Sequence, residues 1–154
     1  MIQQYLKSVS RRKAISIFGA TAISMALPWQ AHATVDAVAA RINEITGGAN
    51  VIDDLISLDM PDIAENGNQV NLSFEVDSPM TADNYVKSVY VFADGNPDSD
   101  VAVFNFTPAM GACYATTRMR LSKTQNVYVL AALNDGSFAK AEATVKVTIG
   151  GCGG

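Results

Sequence analysis

Hydrophobic and polar residues alternate over most of the chain after residue 50, which predicts β-strands joined by polar turns. The strictest alternation covers residues 138–149, where small or branched apolar residues oppose mostly polar ones. Together with this run, candidate strands lie at 51–60, 69–76, 85–93, 101–107, 113–121 and 125–133. About seven strands spaced by turns predict an all-β fold, an immunoglobulin-like antiparallel β-sandwich.

A single helical pattern precedes these strands. Apolar residues recur at helical spacing within 35–46, Thr34 is a candidate N-cap, and Gly47 and Gly48 end the pattern. The sequence therefore predicts a short N-terminal helix followed by the sandwich. Residues 34–149 are predicted to form one domain around one core.

The first 33 residues have the pattern of an export signal. Residues 1–13 contain four basic residues and no acidic one, and an apolar run follows at 14–27. That run is shorter than the ~20 residues of a membrane span. Ala31 and Ala33 have the spacing that a signal peptidase recognises. We therefore expect residues 1–33 to be removed and the mature protein to be periplasmic, with no membrane segment.

The pair Arg11–Arg12, preceded by Ser10, favours the twin-arginine export route, which carries folded proteins. Ala14 stands where that signal usually has a phenylalanine. An ordinary secretory signal with a basic start is the alternative.

Removal of the leader changes the charge and the available chemistry. All 15 acidic residues but only 11 − 4 = 7 basic residues remain, so the mature net charge is −8. This charge argues against binding to nucleic acid or to anionic lipid. The only histidine, His32, is lost, which excludes histidine-dependent triads and histidine-rich metal sites. The acidic turns lack the spacing of an EF-hand, and we expect neither a metal nor a cofactor.

The last ten residues, "VKVTIGGCGG", place one cysteine among glycines directly after the last predicted strand. Glycines have no side chain to pack and lose much backbone entropy on ordering, so Cys152 is not expected in the core. A disulfide to Cys113 is one interpretation, since exported proteins commonly form such bonds. The other is a flexible arm, residues 150–154, that carries the thiol into a narrow channel. It consists of Gly150, Gly151, Cys152, Gly153 and Gly154.

The placement of Cys113 favours the arm. Cys113 begins a predicted strand just after a turn, where a small, half-buried thiol fits well. A crosslink needs no glycines on both sides of the cysteine, whereas a reaching arm does. No cation follows Cys152, so activation of its thiol is expected to come from a receiving enzyme.

The C-terminal motif resembles the SoxY family, the sulfur carriers of periplasmic thiosulfate oxidation. The stretches 59–70, 75–80 and 121–138 are similar as well. The resemblance implies an immunoglobulin-like fold and places the family's carrier cysteine at Cys152. It also implies that the protein is not catalytic alone and holds sulfur intermediates while other enzymes act on them.

The resemblance further implies a set of partners. They are a SoxZ-type β protein as heterodimer partner, a c-type cytochrome, a sulfate-releasing hydrolase and, in some organisms, a molybdenum–haem sulfane dehydrogenase. Cys113 departs from the family pattern and is a candidate second thiol. The alternative function is a secreted, Cys113–Cys152-bridged interaction module without chemistry.

Overall fold

A computed structural model describes residues 33–151. Residues 1–32 of the predicted signal peptide lie outside the described residues, as do Cys152, Gly153 and Gly154. The first element is helix α1, Val35–Thr46, with the predicted bounds. The Thr34 side chain accepts a hydrogen bond from the Ala37 N–H, and Gly47 ends the helix in the left-handed conformation.

The strands of the described residues follow the helix in nine segments. They are β1 Val51–Ile52, β2 Ile56–Asp59, β3 Ile63–Asn66, β4 Val70–Val76, β5 Val86–Ala93, β6 Asp100–Asn105, β7 Cys113–Met119, β8 Gln125–Leu133 and β9 Phe138–Ile149. A 3-10 turn, Pro108–Met110, separates β6 from β7. Strands β8 and β9 have the bounds that the sequence predicted, 125–133 and 138–149.

Two sheets form the sandwich. The larger has the order β1-β9-β8-β5-β6, with β3 also pairing with β9, and the smaller has the order β2-β4-β7. The long pairings β4–β7, β5–β6, β5–β8 and β8–β9 are antiparallel. This architecture confirms the predicted immunoglobulin-like sandwich.

Two short strands pair in a way that the alternation pattern did not indicate. Strands β1 and β3 both run parallel to β9 and share its outer edge, β1 at the start of β9 and β3 at its end. In the second pairing, Ile63 lies opposite Lys146 and Asn66 opposite Ile149. Residues 65–68, Glu-Asn-Gly-Asn, have the composition of a turn. Pairing with β9 extends the strand to Asn66, so that the turn begins at Gly67.

The core lies between the two sheets. In β4 the alternate residues Val70, Leu72, Phe74 and Val76 are buried. The Phe74 ring makes edge contacts with Phe104 of β6. Full burial of each such side chain contributes about 1.5–3 kcal/mol.

Strand β8 is buried on both faces, because α1 covers the outside of the larger sheet. On that side Val38 of the helix contacts a cluster that includes Phe92, Tyr128 and Leu130. Within residues 33–151, no helix has the length and apolar character to cross a membrane.

Candidate functional site

Three backbone segments meet where β9 ends, and they determine how residues 150 and 151 leave the sandwich. The Gly67 N–H donates to the carbonyl oxygen of Ile149 at 2.7 Å, and the Leu121 N–H donates to that of Gly67 at 2.8 Å. The Gly151 N–H in turn donates to the carbonyl oxygen of Leu121 at 2.8 Å. We call Gly67, Leu121 and Ser122 the arm seat, because they hold the first two residues of the predicted arm.

Three positions where the arm meets the seat have room only for glycine. A Cβ atom on Gly150 would overlap the carbonyl oxygen of Ser122, and one on Gly151 would overlap the carbonyl group of Gly67. A Cβ on Gly67 would overlap the Leu121 oxygen and lie 2.9 Å from the Gly151 nitrogen. Each of these clashes is with backbone, which cannot rotate away as a side chain can. Close approach of three chain segments therefore requires these glycines.

Gly150 and Gly151 thus contact the body of the protein, whereas the sequence suggested glycine for flexibility and narrowness alone. The attachment residue Cys152, with Gly153 and Gly154, lies outside the described residues. Its role as the carrier thiol therefore stays a prediction.

A buried polar network supports the seat from behind. Asn96, 8% exposed, donates to the Arg120 carbonyl oxygen at 2.9 Å and accepts from the Ser122 N–H at 3.0 Å. Gln125, 5% exposed, donates to the Asn96 side-chain oxygen at 3.0 Å and accepts from the Gly95 N–H at 2.8 Å. These bonds satisfy the backbone of the β7–β8 turn and fix its shape.

Sequence reasoning missed this network. Asn96 lies in residues 94–100, whose composition is that of an exposed turn, and Gln125 begins a strand. Neither position carries a signal in the sequence for a buried amide, because the two residues meet only through tertiary packing.

Cys113 lies far from the seat. It begins β7, is 1% exposed and faces the core. Burial raises the pKa of its thiol from 9.0 to about 11, since the charged thiolate would be desolvated. At neutral pH the thiol is therefore protonated and unreactive.

The titratable side chains of the described range do not gather into a metal centre. Among residues 33–151, no three side chains of the His, Cys, Asp and Glu types are grouped closely enough to hold a metal ion.

The fold and the sequence define a class: small β-sandwich proteins in which a glycine-bordered cysteine follows the last strand in the chain. The family model described as sulfur oxidation protein SoxY matches residues 42–152, and the chain belongs to this family. The match extends to Cys152. No curated protein matches the chain significantly.

A solved structure with the same kind of fold is the sulfur carrier protein SoxY from Chlorobium limicola f thiosulfatophilum. It is 27% identical, with a TM-score of 0.62, and the match covers 75% of this chain and 100% of that one. Family membership and this likeness support a carrier role in sulfur oxidation.

Other solved structures share the fold alone. A superoxide reductase (neelaredoxin) from Ignicoccus hospitalis is 15% identical with a TM-score of 0.55, over 75% of this chain and 94% of that one. A putative superoxide reductase from Thermotoga maritima is 17% identical with a TM-score of 0.53, over 63% and 93%. At these identities the sandwich is common to the proteins, and no activity is carried over.

Proposed function

We propose that Cys152 is the covalent attachment point for sulfur intermediates of thiosulfate oxidation, and that the protein carries them between enzymes without catalysing their reactions. The observation that carries this proposal is the arm seat. Close packing of Gly150 and Gly151 against the seat and three backbone hydrogen bonds fix the two residues before the cysteine. The extension of the family match to Cys152 supports the same assignment.

The proposed carrier cycle takes place on the sulfur atom of Cys152. The Cys152 thiol and thiosulfate lose two electrons and one proton and form a cysteine S-thiosulfonate, with a new bond between the thiol and the sulfane sulfur. The electrons pass to a c-type cytochrome partner. Water then cleaves the bond between the sulfane and sulfone sulfurs, which releases sulfate and leaves a persulfide on Cys152. A molybdenum–haem partner oxidises that sulfur in some organisms.

Geometry supports the arm over the alternative disulfide. Cys113 and Met119 lie at opposite ends of β7, roughly 20 Å apart at the rise of a β-strand. The seat residue Leu121 follows the Met119 end and holds Gly151. One further residue adds about 3.8 Å, whereas a disulfide requires Cα atoms within about 7 Å. A bridge from Cys113 to Cys152 would require the seat to open.

Intact mass spectrometry of protein from thiosulfate-grown cells tests the proposal. We expect an adduct of S2O3 mass that reductant removes and that peptide mapping assigns to Cys152. Cys152→Ser should abolish the adduct and the thiosulfate-dependent turnover of the reconstituted enzymes, while Cys113→Ser should keep both. An equal loss in the two variants would instead indicate a working cysteine pair.

A further inference from the structure

The arm seat contains a chemically labile pair of residues. Of the asparagines in the chain, only Asn66 is followed by glycine, Gly67. The backbone nitrogen of the residue after an asparagine can attack the side-chain amide, and a glycine leaves the most room for this attack because it has no Cβ. The seat cannot accept a larger residue at position 67, since a Cβ there would overlap the Leu121 oxygen. The packing of the seat therefore imposes the labile pair.

The structure engages the reacting groups of this pair in other contacts. The Gly67 N–H donates to the carbonyl oxygen of Ile149 at 2.7 Å, and the Gly67 carbonyl oxygen accepts from the Leu121 N–H at 2.8 Å. The side-chain oxygen of Asn66 accepts from the Asn68 N–H at 2.9 Å. Gly67 is buried, whereas Asn66 is exposed. The attacking nitrogen is thus bonded and shielded from water, while the side chain that it would attack is open to solvent.

The first residues of the arm pack directly on the Gly67 peptide. A Cβ on Gly67 would lie 2.9 Å from the Gly151 nitrogen, and a Cβ on Gly151 would overlap the Gly67 carbonyl group. Attack on the side chain requires the Asn66–Gly67 peptide to rotate, because its nitrogen must turn away from Ile149. Rotation therefore requires Gly67 to give up its hydrogen bonds and Gly151 to move.

We propose that Asn66 is a site of spontaneous deamidation, and that the seated start of the arm suppresses the reaction. The Gly67 nitrogen loses its proton to hydroxide and forms a bond to Cγ of Asn66. The bond from Cγ to Nδ2 breaks, and the amide nitrogen leaves as ammonia after taking a proton from water. Water then opens the succinimide ring at either carbonyl and leaves aspartate or isoaspartate. One water is consumed, one ammonia is released, and no electrons are transferred.

The product changes the seat. Both products carry a carboxylate that is ionised at neutral pH. Isoaspartate also lengthens the main chain by one methylene group at a residue that lies opposite Ile149 in the pairing of β3 with β9. The added length moves Gly67 out of register with Ile149, so the hydrogen bonds of the seat are lost. Deamidation therefore detaches the arm from its seat irreversibly.

Peptide mapping of the purified protein, incubated in mildly alkaline buffer, tests the proposal. The fraction deamidated at Asn66 is measured by mass, and isoaspartate is separated by chromatography. The native protein should react more than about tenfold slower than the same chain in urea, because the reaction requires local opening. Gly151→Ala keeps the labile pair but adds a Cβ that overlaps the Gly67 carbonyl group. It should deamidate about tenfold faster than the wild type, as expected for loss of one hydrogen bond.

Gly111→Ala is the matched control for general destabilisation. It adds the same methyl group at the turn before β7, where a Cβ would have no atom within 4 Å but the backbone is left-handed and disfavours alanine. Its rate at Asn66 should equal that of the wild type. Equal rates in native and urea-unfolded wild type would overturn the proposal without any variant, and so would equal rates in Gly151→Ala and Gly111→Ala. These measurements involve no thiosulfate, so they stand or fall independently of the proposed function.

Discussion

Gly67 shows how a single missing side chain governs a distant segment. Gly67 lies 84 positions before Gly151 in the chain. A Cβ atom on Gly67 would nevertheless overlap the Leu121 oxygen, which accepts the hydrogen bond from Gly151. Substitutions within the arm change its width and its seating together. Gly67 separates the two, because a change there leaves the arm itself as it was.

Gly67→Ala should release the arm from its seat. The added Cβ must displace the Leu121 oxygen, so the Gly151 amide should exchange about tenfold faster, as expected for loss of one hydrogen bond. We expect a stability loss of about 1–3 kcal/mol and slower turnover by partner enzymes. Hydrogen exchange followed by NMR measures the first effect directly.

Asn68→Ala is the control in the same turn. The Asn68 side chain is exposed, and its replacement by alanine adds no atom towards the arm. Full Gly151 protection in a folded Gly67→Ala protein would show that the seat does not depend on this glycine.

Cys113 provides a second test at this scale, through the pH dependence of stability. Burial raises the pKa of its thiol to about 11 in the folded protein, compared with 9.0 for a solvent-exposed thiol. Between these values the unfolded chain ionises and the folded chain does not, so the stabilisation present below pH 9 is lost as pH rises towards 11. The stability difference between wild type and Cys113→Ser should therefore shrink by about 1–3 kcal/mol over that interval. Urea unfolding at a series of pH values measures it, and a constant difference would contradict the burial effect.

At the scale of elements, the β7–β8 turn depends on side chains from another loop. Asn96 satisfies the backbone on both sides of Leu121 and also contacts Gln125. A turn held in this way presents the Leu121 oxygen in one direction. The loop between β5 and β6 thus positions the start of the arm, although the two segments are far apart in the chain.

Asn96→Ala should destabilise the fold by about 1–3 kcal/mol, because it leaves buried groups without hydrogen-bond partners. It should also speed exchange at Gly151, although Asn96 makes no direct bond to the arm. Chemical unfolding and hydrogen exchange measure the two effects. The exposed Asn43→Ala serves as the control, and loss of stability without any change at Gly151 would limit Asn96 to a structural role.

Local patterns were sufficient to predict elements whose signals lie within the element. Helix 35–46 and strands 125–133 and 138–149 have the predicted bounds, because periodicity, the Thr34 cap and the glycines act over a few residues. Strands β1 and β3 were not predicted as parallel partners of β9, since two or four residues carry too little periodicity to indicate a remote partner. The seat was missed for the same reason. The requirement for glycine at positions 67, 150 and 151 is explained by contacts between segments, which no single segment reveals.

At the scale of the whole molecule, the main expectation still to be tested is that the protein assembles with a partner protein. The SoxY family match and the proposed role lead us to expect a 1:1 heterodimer with a SoxZ-type β protein. Within residues 33–151, β6 of the larger sheet and both β2 and β7 of the smaller sheet have no strand on their outer side, and such edges need pairing or cover. Chromatography with light scattering on the co-expressed pair should give the summed mass. A stable monomer that ignores the partner would count against the carrier complex.

The pairing of β9 on both of its edges determines how the protein bears tension. Along one edge β9 pairs with β8 at eight positions, and along the other with β1 and β3 at five more. Because Gly150 and Gly151 continue β9 in the chain, a pull on the arm by a receiving enzyme loads these bonds in parallel. The single Gly151–Leu121 bond gives way first. In the proposed carrier role, we therefore expect that binding of the arm by a receiving enzyme breaks this one hydrogen bond and leaves the pairing of β9 intact.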